Sequence, residues 1–447
     1  MSTELIQKKA RLGLRLGGVW MIAAILLLLC AGLYLGKPPP AGLTVALLLL
    51  AWDISLGSLI VQRALRPLPP KELRSGAPIS VLIAAFNEAS MIAATLTSVL
   101  KQSGVDFEVL VGDDGSSDGT SAAVERAFPS EARVRNFRFD HQGKAATLNQ
   151  LLARAIHPLI VTLDADTELQ PQALSALAQE FEEPVVHASA GSVLIRRPDN
   201  WLTHFQFTEY LRNNFVRAAW AQLGALEQVP GACAGFRAES LRAVGGFPTN
   251  SITEDYEVVY RLYAWAADSG APMEVRFVPE AVAETDCPAH LAGFAAQRIR
   301  WFAGFMVTLF RFRRLIFNRR AKTFGLIKLP LKVIDAIIPL TSLFFLGVVL
   351  FTGLSPDPRL RLFSWLLFAA RWLWDAGCYA LLIRQAERTG MAPSKGKRRA
   401  WVWACALGEA LSYAWLRYVV VLAAYPKALR RSTDWKPPRN AATAYTR

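Results

Sequence analysis

"ISVLIAAFNEASMIAATLTSVLKQ" (residues 79–102) and "FEVLVGDDGSSDGT" (107–120) decide the fold. Each opens on a short apolar, β-branched run that reads as a buried strand. The first run breaks at Asn87-Glu88 and gives way to a helical period, and the second ends in Asp113-Asp114-Gly115. Strands alternating with helical stretches predict an α/β domain, and in open α/β sheets ligands sit beyond the carboxyl ends of the strands. Two such ends in succession, Asn87-Glu88 and Asp113-Asp114, mark one edge of a pocket. Taken alone, "DDGSSDGT" is also what any strand-to-helix turn uses, with Ser117 or Asp118 as a cap.

Two further stretches extend the pattern. "HQGKAATLNQLLARA" (141–155) places Gly143-Lys144 at a helix start, where backbone N–H groups and a cation suit an anion such as a diphosphate. A solvated lysine on a first helical turn is the plainer reading. "PLIVTLDADTEL" (158–169) runs an apolar strand into Asp164-Ala165-Asp166. In extended chain, residues i and i+2 face the same way, so both carboxylates can address one divalent ion. Hard oxygen ligands of that kind suit Mg2+ or Mn2+ bridging a substrate's phosphates.

Around this block the apolar residues are concentrated rather than spread. The 447-residue chain is 53% hydrophobic. Residues 17–36 and 41–62 are each long enough to cross a bilayer core of ~30 Å, and a Lys-Pro-Pro-Pro turn joins them. Further apolar segments cover 325–353, 360–384 and 401–425. The expected organisation is a transmembrane hairpin (1–64), a soluble domain (65–305), an interfacial amphipathic segment (306–324), C-terminal transmembrane helices (325–425) and a basic tail (426–447). Lys/Arg clusters at 8–15, 63–74, 311–328 and 395–399 place the soluble domain on the cytoplasmic side of a plasma (bacterial inner) membrane. Three spans after the domain would leave the basic tail outside, so a terminal segment is interfacial or re-entrant, or the rule fails locally.

The net charge of +14 sits beside hydrophobic segments. It points to anionic lipid headgroups and argues against nucleic acid. Five scattered cysteines without metal-ligand spacing imply a reduced cytosolic domain. Asp53 and Glu409 lie inside apolar segments, where a charge is costly and usually faces an interior or a wet path. Arg417, two turns beyond Glu409, is its candidate partner.

The ordered set strand-NE, strand-DDGSSDGT, GKA-helix and strand-DAD is completed by "GACAGFR" (231–237), "TED" (253–255) and "QRIRW" (297–301). Together with the flanking spans, it resembles the membrane-embedded glycosyltransferases of family 2, the processive synthases of the poly-N-acetylglucosamine and cellulose type. The resemblance covers about residues 78–304. It implies a GT-A (Rossmann-like) nucleotide-sugar domain. Asp113 or Asp114 would contact the uridine, with Asn87 and Glu88 at the same strand ends. Lys144 would meet the diphosphate, and Asp164 with Asp166 the ribose, diphosphate and metal. Asp255 would be the general base, with Glu254 beside it. Gln297 and Trp301 would face the acceptor, Arg300 the diphosphate. Thr253 and Cys233 are carried to the acceptor side, although the aromatic pair that flanks this cysteine in cellulose synthases is absent here.

Sugar transfer with inversion needs a carboxylate to take the acceptor hydroxyl's proton. Glu254 and Asp255 at a helix start meet that need, because the helix's positive end keeps a carboxylate ionised. They could also simply complement the dipole behind a Thr253 cap. The implied activity is an inverting transfer from a UDP-sugar, UDP-GlcNAc or UDP-glucose. The acceptor would be a growing β-linked polysaccharide exported through the spans, with an accessory subunit possible. The alternative is single transfer to a membrane lipid.

Overall fold

The computed structural model describes residues 22, 24–66 and 76–430. The basic N-terminal stretch, Arg74 and the tail segment "STDWKPPRN" (432–440) lie outside these residues. Contacts divide the chain into two compact units. One comprises Met1–Pro67 and Leu331–Ala423, the other Leu68–Pro330 and Ala424–Arg447. The segment 306–324 therefore falls within the second unit.

The second unit is built on one eight-stranded mixed sheet. Its strands are β1 (Ile79–Ala85), β2 (Phe107–Asp113), β3 (Val134–Arg138), β4 (Leu159–Asp164), β5 (Glu168–Leu169), β6 (Val186–Ile195), β7 (Ala234–Arg237) and β8 (Glu274–Thr285). The spatial order is β3-β2-β1-β4-β7-β6-β8-β5. β1, β2, β3 and β4 run parallel, whereas β7 is antiparallel to both β4 and β6. This is a GT-A-like sheet: a half of parallel strands continued by a mixed half.

The apolar runs of β1, β2 and β4 are buried because helices cover both faces of a parallel sheet. Strand order reverses between β1 and β4, although the two run parallel: β2 and β3 lie on one side of β1, and β4 on the other. Such a switch point opens a crevice at the carboxyl ends. The register levels those ends, since Ala85 pairs with Asp113 and Ala84 with Asp164.

The first unit is helical. Ala41–Ala64 and Pro358–Arg388 are each long and apolar enough to cross a membrane. Two bent pairs, Phe324–Asp335 with Ile338–Gly353 (50°) and Gly396–Leu411 with Tyr413–Leu429 (54°), would raise the number to four if each is one span. A shorter apolar helix, Ala24–Leu35, is the described part of the expected first span. Large apolar side chains such as Leu33, Phe351 and Leu373 point outward, as a lipid-facing surface requires.

The charges inside these apolar helices are paired. Arg371 bridges Asp53 at 2.5 Å and Asp375 at 3.0 Å. Arg417 Nη2 lies 3.3 Å from Glu409 Oε1 across the break at Ser412.

Candidate active site

The site grows from the strand ends. Beyond β1, Asn87 adopts a left-handed backbone (φ 58°), which asparagine tolerates better than most residues. Its N–H donates to Ser116 Oγ (2.9 Å) and its Oδ1 accepts the Ser117 N–H (3.0 Å). The Glu88 N–H reaches Thr120 Oγ1, and that of Ala89 reaches Asp118. The turn "DDGSSDGT" thus ties the β1 and β2 ends into one rim, with Asp118 fixing the backbone.

Asp113 and Asp114 are both buried, with different surroundings. Asp113 Oδ1 accepts the Ser116 N–H at 2.8 Å. Asp114 accepts from Gln142 N, Gly143 N and Thr147 Oγ1, and lies 2.9 Å from His141 Nδ1. Its oxygens are consumed in tethering the start of helix Lys144–Leu152. The N–H groups expected to await a diphosphate there are, for Gln142 and Gly143, already bonded to Asp114. Of the two acids, Asp113 makes the fewer of these bonds, to the Ser116 N–H. Phe86, 40% exposed, stacks on His141 (centroids 4.4 Å apart) above this rim.

Lys144 is not a solvated surface lysine. Its Nζ lies 2.5 Å from Asp164 Oδ1 and 3.2 Å from Glu254 Oε1. Burial alone would lower its pKa, but Asp164 and Glu254 more than offset this and hold the ammonium protonated. Helix Glu254–Ser269 delivers Asp255 to the same place. Asp255 Oδ2 accepts the Gly231 N–H at 3.1 Å and Oδ1 the Tyr256 N–H at 2.9 Å. Burial, then repulsion from Glu254, pushes this carboxyl up to about 6, against the pull of Lys144 and Arg300. A Cβ on Gly231 would sit 3.1 Å from Lys144 Nζ and 3.4 Å from Asp255 Oδ2, so glycine keeps the space open. The structure brings Lys144, Asp164, Glu254 and Asp255 together.

Asp166 lies two residues from Asp164, its Oδ1 accepting from Thr167 and Thr285 hydroxyls at 3.2 Å. Burial and the Asp164 and Asp286 charges raise it to about 6. Glu88 is raised to about 8 by burial and by Asp166 and Asp164. Crowded, partly buried carboxylates, with no counter-charge adjacent to Asp166 among the described residues, are a donor set suited to a divalent cation. Among the described residues no group of three or more His, Cys, Asp and Glu is arranged as a complete metal cage. Two carboxylates fit an ion that takes its remaining ligands from substrate phosphates and water.

Two of the residues expected on the acceptor side, Gln297 and Trp301, lie on helix Leu291–Arg311. Gln297 Oε1 is buried without a hydrogen-bond partner. Trp301 is partly exposed, with Tyr210 tilted beside it (6.4 Å) and the Arg298 guanidinium over its ring at 4.5 Å. Arg298 Nη2 in turn donates to Glu209 Oε2 at 2.8 Å, both side chains being buried.

Thr253 does not act as a side-chain cap, because its Oγ1 makes no hydrogen bond. It packs instead on Gly304, where an added Cβ would lie 2.6 Å from Thr253 Cγ2. A second tie joins the same two helices: Glu257, fully buried, accepts from Arg311 Nη1 with both oxygens at 2.6 Å and from Arg261 at 3.1 Å.

Cys233 departs from its expected place. It is 0% exposed, with its thiol against Gly191 and pushed up to about 12 by burial. The thiol is a core group and presents nothing to an acceptor. Glu209, Arg298, Phe86 and His141 were not singled out in the sequence. The only local signal was that Arg298 lies within "QRIRW" and His141 within "HQGKAAT".

Residues 80–245 match the family model described as glycosyl transferase family 2. Poly-beta-1,6-N-acetyl-D-glucosamine synthase of Staphylococcus epidermidis is 28% identical over 232 residues, 51% of this chain and 54% of the relative. The synthase of the same name from Staphylococcus aureus strain COL is 28% identical over 228 residues, again 51% and 54%. The chain thus spans about half the length of these curated relatives. The mannosyltransferase PcManGT of Pyrobaculum calidifontis, solved with GDP-Man and Mn2+, shares the fold with a TM-score of 0.55 at 20% identity, over 86% of this chain and 98% of that one.

Proposed function

We propose that the protein is an inverting membrane glycosyltransferase that uses a UDP-sugar to extend a β-linked polysaccharide, with its catalytic domain in the cytoplasm. The reading is supported above all by Asp255. Its carboxylate is pinned by two backbone N–H groups beside the Lys144–Asp164 pair, at the switch point of a nucleotide-binding sheet. UDP-N-acetylglucosamine is the favoured donor because the relatives quoted above are poly-β-1,6-N-acetylglucosamine synthases.

In this reading the nucleotide enters at Asn87, Glu88 and Asp113, where the exposed Phe86 ring offers a face for a base. Lys144 and Arg300 are the cations available to a diphosphate. Asp164 and Asp166 would hold Mg2+ or Mn2+, which supplies charge stabilisation for the departing diphosphate. Trp301 offers an apolar face to the acceptor sugar, with Gln297 one turn away. The acceptor hydroxyl oxygen bonds to the donor's anomeric carbon while the bond to UDP breaks. The hydroxyl proton passes to Asp255, and UDP leaves with the bonding electrons. Attack opposite the leaving group inverts the anomeric centre.

The test is incubation of purified protein in lipid with labelled UDP-GlcNAc or UDP-glucose and Mg2+ or Mn2+, followed by sizing and solvent partition. Water-soluble polymer supports the proposal. A product of one sugar per lipid, or no sugar transfer from any UDP-sugar, overturns it.

A further inference from the structure

Arg298, the second residue of "QRIRW", is buried and makes three separate contacts. Its guanidinium covers one face of Trp301 at 4.5 Å, lies 5.0 Å from the Phe294 ring, and donates to the buried Glu209 at 2.8 Å. Glu209 sits on another helix, Trp201–Gln222, whose next residue, Tyr210, stands beside the same indole. A tryptophan that binds sugar by stacking must hold its ring in one plane, since every alternative rotamer adds an ordering cost on binding. Here the plane is set from behind by a cation that cannot itself rotate, because a second helix grips its other end.

We propose that Arg298, anchored by Glu209, is a positioning residue that fixes the plane of Trp301 for the acceptor sugar. The inference rests on the proposed acceptor role of Trp301. Arg298 touches no substrate; it acts through the indole. Arginine suits this work and lysine does not, because only the planar guanidinium can stack on a ring and bond a carboxylate edge-on at once.

The experiment compares wild type, Arg298→Lys and the double variant Glu209→Gln/Arg298→Gln. The lysine keeps the ion pair without the stack, and the double variant leaves no buried charge unpaired. For each, UDP affinity, UDP-GlcNAc hydrolysis by water, and sugar transferred per donor consumed are measured. In both variants the expected result is UDP affinity and hydrolysis within twofold of wild type, with the transfer-to-hydrolysis ratio lowered about tenfold, between the exposed and the desolvated scale of a cation–π contact. An unchanged ratio in a variant that binds UDP overturns the proposal. So does loss of UDP affinity in both variants, or failure of both to fold, which would assign Arg298 to fold stability alone. The wild-type control separates the two readings. If wild type transfers no sugar from any UDP-sugar, the functional proposal itself has failed.

Discussion

The Gly231 amide donates to Asp255 Oδ2 at 3.1 Å, so the proposed base is held by backbone from another part of the chain. Asp255→Asn keeps an oxygen that can accept from Gly231 or Tyr256 but cannot take a proton. Transfer is expected to fall by about 100-fold or more, the usual worth of general-base catalysis, with UDP affinity little changed. Retention of more than a tenth of the wild-type rate in a labelled-donor assay would remove Asp255 from that role.

The same carboxyl sets the acid limb of the pH profile. Its pKa is raised to about 6, chiefly by burial. A base works only when ionised, so transfer should fall as pH drops through about 6, whereas an ordinary aspartate would hold activity down to about 4. Rates under saturating donor between pH 5 and 8, with UDP binding followed in parallel, check this. A profile flat down to pH 5 contradicts it.

Asp166 is crowded by Asp164 and Asp286. Asp166→Asn relieves that repulsion and replaces an anionic ligand by a neutral amide oxygen, so the protein should be no less stable while UDP binding responds much less to Mn2+. Calorimetric titration with UDP, with and without chelator, reads the difference. An unchanged metal response counts against the site.

Gly304 lies against Thr253, and a methyl there collides with Thr253 Cγ2 at 2.6 Å. Gly304→Ala should cost about 1–3 kcal/mol, the usual scale of overpacking. It should also lower transfer more than UDP binding, since it wedges the Trp301 helix from the Asp255 helix. Thermal unfolding and UDP titration give the two readouts, and equal loss in both would show only general destabilisation.

Part of the sheet was legible because three of its parallel strands are apolar runs that give way to polar residues. Ile79–Ala85, Phe107–Asp113 and Leu159–Asp164 end where the sequence changes character. The difference between Asp113 and Asp114 was not legible. It depends on residues 141–147 folding back onto one carboxylate, which nothing near Asp114 announces. Arg298 and Glu209 lie 89 positions apart, so their pairing has no local signature. Cys233 read as a site residue by motif, yet its thiol packs against Gly191 of the fully buried strand β6, which makes it core. The apolar segments 325–353 and 401–425 were found as segments, but hydropathy carries no information about a 50° or 54° bend.

The Glu257–Arg311 pair and the Thr253–Gly304 contact join the helix of the proposed base to the helix of Trp301 at two points. In the proposed reading, base and stacking platform form a single jig, tied to the β4 end by Lys144, which bridges Asp164 and Glu254. Residues at the β1 and β2 ends can be exchanged to suit another donor while the two ties between those helices hold proton acceptor and acceptor ring in place. An engineer seeking a different sugar would edit the sheet rim, and one seeking a different linkage would have to recut the jig.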